Sequence, residues 1–390
     1  MIITYLTHDL RDIKACSLIC HSWYPAAAQH LHHTFTLRRS GHGTNRSKPE
    51  PLSKLDELGL LPLVKEIRVD QGPGKSCWFV PWAFNRHFFA LANVHTLKLD
   101  NLEIHRFTPD VKRYLGHFSL TLQSIALYDP SCTPQQLSHF LSLFSNLDDI
   151  EIRFAYVHTY NPTTPNTELV PYSAPKLRGR LVLSGFSWAE TLTRLIAASG
   201  GLRFRHIDLG GGPCCAPLLL KACAETLETL RFDAREDSFS KQFCIDPSPH
   251  SGSWSTEDLN LSHLKVLRSL QIKGLVTNPK ARDHRPVVVV KPFLTITSPV
   301  FSELVIIHTG ISIYLPQEVT LFETLRKMNE VRHFKLVFSV EAEDERGARR
   351  ELAVALDSAA AKRLLDFLNS PPTIRTAPPR YHRWDFLNFN

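Results

Sequence analysis

The chain has 390 residues, 43% of them hydrophobic and 21% charged, which is too long for one compact core and predicts two or three domains or one elongated array. Its 45 Lys and Arg against 38 Asp and Glu leave a net charge of +7, too weak a bias over this length to demand nucleic acid. The most apolar short run, Val287 to Val290, is far below the length of a membrane span, so no membrane partner is expected.

The eight cysteines form no spaced framework. Cys214 and Cys215 are adjacent, and Cys16, Cys20 and Cys223 sit in apolar helical stretches. They read as free thiols of a reducing compartment. Met1-Ile-Ile-Thr-Tyr-Leu6 lacks the basic segment and cleavage site of a secretory leader, so the expected location is cytosol or nucleus.

In chain order, residues 1–37 read as a short helical module. Ile2, Ile3, Leu6 and Leu10 mark one helical face. Asp12 can cap a second helix carrying Ile13, Cys16, Leu18, Ile19 and Trp23, and Pro25 to His33 is a third. Thr34-Phe-Thr-Leu37 has the alternation of a first strand. Residues 38–59, with Gly41 to Pro51 at their centre, read as a linker.

From 60 to 340 one pattern returns: apolar, two residues, apolar, one residue, apolar. It reads Val64-Lys-Glu-Ile67-Arg-Val69, then Val94 to Leu99, Leu122 to Leu127, and Leu147 to Ile152. Later copies are Phe204 to Leu209, Leu227 to Phe232, Leu267 to Ile272, Phe301 to Ile306 and Val331-Arg-His-Phe334-Lys-Leu336. Leu177-Arg-Gly-Arg-Leu181-Val-Leu183 is a looser copy with one extra residue. The closing apolar-x-apolar triplet has period two and predicts a short strand with one buried face. Helical spacing falls between copies, as in the run opened by Thr133, a fitting N-cap, and Pro134 at the first helical position. Trp188 to Ala198, Pro217 to Leu227 and Glu318 to Met328 read the same way. One strand and one helix cannot bury an apolar face alone, so the units must stack.

The central apolar residue recurs every 23 to 40 residues. Leucine-rich repeats run to about 20–29 residues per unit, so several steps fit and others carry insertions. The regular Asn ladder of that class is missing, and the array over roughly residues 60 to 340 resembles its degenerate form. The expected fold is therefore α/β: an irregular leucine-rich-repeat-like solenoid with a parallel strand face plus helices. A doubly wound α/β domain is the rival, since it also alternates strands and helices. The insertions at Asn161 to Thr167, Asp246 to Ser253 and Asn278 to Pro286 read as loops. Residues 341–390 read as a capping helix, Ala359 to Leu368, and a tail.

The stretch Ile13-Lys-Ala-Cys16-Ser-Leu-Ile-Cys20-His-Ser-Trp23, followed by Ala26-Ala-Ala-Gln-His-Leu31 and Phe35, resembles the later two helices of an F-box. The resemblance is to the fungal kind that precedes degenerate leucine-rich repeats. It implies a three-helix module and a non-catalytic substrate receptor of a cullin–RING ubiquitin ligase. The module would dock on a Skp-type adaptor, and through it a cullin, while the repeats hold a protein substrate. Carried onto this chain, the adaptor-binding residues are Leu6, Leu10, Ile13, Cys16, Leu18, Cys20 and Trp23. The family's Leu-Pro pair and acidic residue would fall before Met1, so the box reads as N-terminally truncated. A plain interaction scaffold, its N-terminal helices merely capping the repeats, is the alternative.

Catalytic motifs are sparse. Cys16, Cys20 and His21 are too few for a zinc site, which takes four ligands. Asp208-Leu-Gly210-Gly211-Gly212 follows a strand and precedes a helix, where backbone N–H groups can approach a phosphate or nucleotide. It resembles the first motif of cofactor-dependent methyltransferases, with Asp233 placed for a ribose. The third glycine position carries Cys214 or Cys215, however, and the preceding strand belongs to the repeat. The plain reading is a repeat turn needing positive φ. No enzyme, metal or cofactor is therefore expected.

Residues alternating with the buried ones face outward and make the expected substrate surface. Arg68, Lys98, Tyr128, Arg153, Arg231 and Lys273 are the candidates, among neighbours such as Asp70, Asp100, Asp149, Glu151 and Asp208. Both signs of charge suit a protein surface better than a phosphate track. Interface energy concentrates on aromatic and Arg anchors, which singles out Tyr128, Arg153 and Arg231.

Overall fold

The computed structural model describes residues 10–19, 22–38, 50–70, 86–107, 109–153, 177–184, 202–210, 216–233, 260–273, 295–308 and 334–340. The chain divides into two units, residues Met1–Arg180 with Arg194–Leu202, and Leu181–Thr193 with Arg203–Asn390. Both are α/β, built on parallel strands.

In the first unit the strands are β1 (Thr34–Arg38), β2 (Glu66–Asp70), β3 (Thr96–Asp100), β4 (Ser124–Tyr128) and β5 (Asp149–Arg153). Each pairs in parallel with the next in chain order. Ile67, Leu97, Ile125 and Ile150 lie in one register row, and Val69, Leu99, Leu127 and Ile152 in another. All eight are buried. The expected strands and their buried faces are thus where the apolar pattern puts them.

The lead-in to each strand is also repeated. The His33 carbonyl accepts the N–H groups of both Lys65 and Glu66. Lys65 does the same for His95 and Thr96, His95 for Gln123 and Ser124, and Gln123 for Asp148 and Asp149. At the far end, Asn101 and Asp129 follow β3 and β4 with φ of 55° and 49°. Asn and Asp are the non-glycine residues that best tolerate this left-handed region. Asn101 N–H donates to the Tyr128 carbonyl at 2.8 Å, and Asp129 N–H to that of Arg153 at 2.9 Å.

The described helices of this unit are short. They are α1 (Leu10–Ile19), α2 (Tyr24–Leu31), α3 (Glu50–Glu57), α4 (Pro109–Leu115) and α5 (Pro134–Leu141). The expected cap of α5 is present as a capping box: Gln136 N–H donates to Thr133 Oγ1, and the Thr133 N–H donates to Gln136 Oε1. Within this unit buried aromatics link successive strand–helix segments, with Phe88 and Phe118 edge-to-face at 5.0 Å and Phe107 and Phe140 at 5.9 Å. Helix α3 falls inside the stretch read as linker, and its Leu52 is fully buried. Helix α1 begins at Leu10, so Asp12 sits in its first turn and does not cap it.

The second unit holds β6 (Arg180–Ser184), β7 (His206–Leu209), β8 (Thr229–Asp233), β9 (Ser269–Lys273), β10 (Glu303–His308) and β11 (Lys335–Val340), with α6 (Ala216–Ala222) before β8. Their order is again the chain order, and β7 to β11 are parallel. A doubly wound sheet reverses its strand order at a switch point; neither unit does so among the described strands. The last strand corrects the sequence reading. The pattern sets Phe334 beside Leu304, but Leu304 pairs with Leu336 and Ile306 with Phe338. Phe334, Leu336 and Phe338 alternate without a break, and a slip of two residues keeps every side chain on its face, so the pattern could not choose. Of the expected helices, Pro217 to Leu227 shortens to α6, while Trp188 to Ala198, Glu318 to Met328 and the capping helix lie outside the described residues.

The extra residue of the loose copy is absorbed at Gly179. A Cβ there would stand 2.0 Å from Asp149 Oδ1, which accepts the Arg180 N–H at 2.6 Å, and 3.1 Å from the Asp148 carbonyl. Gly179→Ala is therefore expected to break that bond and destabilise the protein by about 1–2 kcal/mol in denaturant unfolding. In an Asp149→Ala background the same change should cost clearly less, because the bond is already gone. Additive costs would contradict this account.

Candidate interaction face

The face of the first unit opposite the apolar rows is built from alternate strand residues. One row runs Thr36, Arg68, Lys98, Ala126 and Glu151. The row above runs Arg38, Asp70, Asp100, Tyr128 and Arg153, and the row below includes Glu66 and Asp149. Four of the six expected substrate-facing residues, Arg68, Lys98, Tyr128 and Arg153, thus come together in two adjacent rows. They are half-buried and not freely solvated.

The charges on this face are tied to one another. Lys98 Nζ lies 2.9 Å from Glu66 Oε2. Tyr128 donates its hydroxyl to Glu151 Oε1 at 3.2 Å. Arg153 Nε meets the same oxygen as an ion pair. Glu151 therefore holds an aromatic ring and a guanidinium side by side. Burial pushes the Tyr128 phenol up to about 12; the charge of Glu151 and its hydrogen bond add to the rise, and Arg153 and Arg68 oppose it. Pinning costs side-chain entropy before any partner arrives, so less remains to be lost on binding.

The second unit differs. Arg231, expected as an anchor, has its Nε 3.7 Å from Asp208 Oδ2, and Asp208 is only 7% exposed. Val305, in the same register row as Asp208 and Arg231, is 2% exposed. Arg231 itself is half-buried, as the four residues of the first unit are, and it is the counter-ion of a buried carboxylate. Lys273 ends β9, but its side chain lies outside the described residues.

Gly210 also needs correction. It lacks a positive φ; an added Cβ would stand 3.0 Å from Ser184 Cβ. Its small size serves a close approach of two chain segments. Its N–H donates to the Leu183 carbonyl at 2.7 Å, so that donor is spent within the protein. Gly211, Gly212 and the Asp233 side chain lie outside the described residues. Among the described residues no group of His, Cys, Asp and Glu could hold a metal ion, and no helix is long and apolar enough to cross a membrane.

The N-terminal helices separate the residues that pack from those that do not. Ile13, Cys16 and Ala27 form a small core, with Trp23 and Leu31 against it. Leu18 is 86% exposed, and Ile19 and Tyr24 are exposed too. At 100° per residue Leu18 projects about 140° away from Ile13, so one helix cannot bury both against one neighbour. Leu10 opens α1, but its side chain, like all of Leu6 and Cys20, lies outside the described residues.

Some contributors were not foreseen. Glu66 precedes the central apolar Ile67, in the same register row as Asp149. Asn93 Nδ2 donates to the Pro62 carbonyl at 3.0 Å, and Asn146 Nδ2 to that of Leu120 at 2.6 Å. Both asparagines stand just before the leading apolar residue of their copies, a coincidence visible in the sequence. No family model and no curated protein matches this chain.

The Tyr128 geometry is tested by its titration, isolated as the difference in phenolate absorbance between the wild type and Tyr128→Phe. The midpoint is expected at about 12. Glu151→Gln should lower it while leaving it above the free value of about 10, since burial is the larger cause. The folded protein holds this proton more tightly than the unfolded chain. Its contribution to stability is therefore full below about pH 10 and lost as pH rises through about 12. A midpoint indifferent to Glu151→Gln would refute the pairing.

Proposed function

We propose that this protein is a non-catalytic receptor or scaffold, a degenerate leucine-rich-repeat-like solenoid behind an F-box-like module. The solenoid reading is carried by one observation. Within each unit consecutive strands pair in chain order, and from β2 to β5 and β7 to β10 they do so at the positions where the six-residue pattern places them. Stacked units each bury an apolar face against the next and leave the opposite strand face as a continuous surface. In the first unit that surface carries the half-buried Tyr128, Glu151 and Arg153 group, an aromatic and an Arg of the kind that anchors protein interfaces. The protein substrate docks there, and residues 1–37 hold a Skp-type adaptor that brings a cullin. The exposed Leu18, Ile19 and Tyr24 support this assignment, because the small core of the described helices, Ile13, Cys16 and Ala27, does not include them. Ile13, Cys16 and Trp23 act as the packing beneath.

Co-expression with a Skp-type adaptor, followed by size exclusion, tests the first half. A stable complex is expected. Leu18→Lys should weaken it at least about tenfold, about 1.4 kcal/mol, while leaving the unfolding midpoint unchanged, since an exposed lysine near a helix C-terminus is well tolerated. A wild-type chain that ignores the adaptor would remove the ligase role and leave the plain scaffold.

Proximity labelling of partners tests the second half. Tyr128→Ala and Arg153→Ala should each deplete the partner set seen with the wild type, by about tenfold in affinity. Lys335→Ala, an exposed change in the second unit, should leave it intact. An unchanged partner set for both variants of the first unit would discard this face as the docking surface.

A further inference from the structure

We draw no further inference here: the strongest candidate, the half-open groove of about 350 Å³ between β1 and α3 that His32, Thr34, Phe35, Lys54, Leu55 and Leu58 line, is an apolar surface for which nothing in the structure shows what covers it.

Discussion

From β2 to β5 and from β8 to β10, each strand enters the sheet through one carbonyl at the start of the strand before it. A carbonyl oxygen has two lone pairs, and here both are used, by two consecutive N–H groups of the next unit. The donors and acceptors recur at the same place in the pattern, the residues just after the leading apolar one. In the second unit Arg205 serves Glu228 and Thr229, Glu228 serves Arg268 and Ser269, and Arg268 serves Ser302 and Glu303. The arrangement sets register before any side chain is considered. It also removes buried backbone donors that would each cost about 1–3 kcal/mol if left unmet. The two rows of apolar residues then fall into line, and the outer rows follow from the alternation of the strand.

The outer rows inherit their geometry from that entry point. Tyr128 and Arg153 are neighbours because β4 and β5 share a register, not because either side chain selects the other. Glu151, one step along β5, then joins them. Pairing of this kind neutralises charge locally, so the face gains shape and rigidity more than field. In the second unit Asp208 and Arg231 also lie in one row, where Asp208 is buried and Arg231 half-buried, and their pairing offsets the cost of enclosing a carboxylate.

Much of the fold was legible in the sequence, for a simple reason. The apolar residues of a unit serve burial alone, so their spacing mirrors the backbone. Legibility failed where two readings bury the same atoms. Phe334, Leu336 and Phe338 satisfy two registers by their spacing, and the strand takes the one that sets Leu336 beside Leu304. Helix α3 was missed because Glu50–Glu57 is mostly polar and carries Pro51, although Leu52 is buried. Gly179 was visible only as an extra residue; its close approach to Asp149 belongs to the packing of two segments far apart in sequence. The candidate face was legible as a set of outward positions. Which of them stay accessible was not, because that depends on what the rest of the chain lays over each row. Leu18, expected as an adaptor-binding residue, is 86% exposed, and the geometry of one short helix keeps it off the Ile13 face.

The central claim is that neighbouring strands follow the chain without reversal. Spin labels at Thr36 paired in turn with Lys98, Ala126 and Glu151 would measure it directly. Parallel strands lie about 4.8 Å apart, so the backbone separations should grow in even steps, from about 10 to about 14 to about 19 Å. A Glu151 label lying nearer to Thr36 than the Lys98 label does would mean that the strand order folds back on itself, and the stacked-unit account would fail.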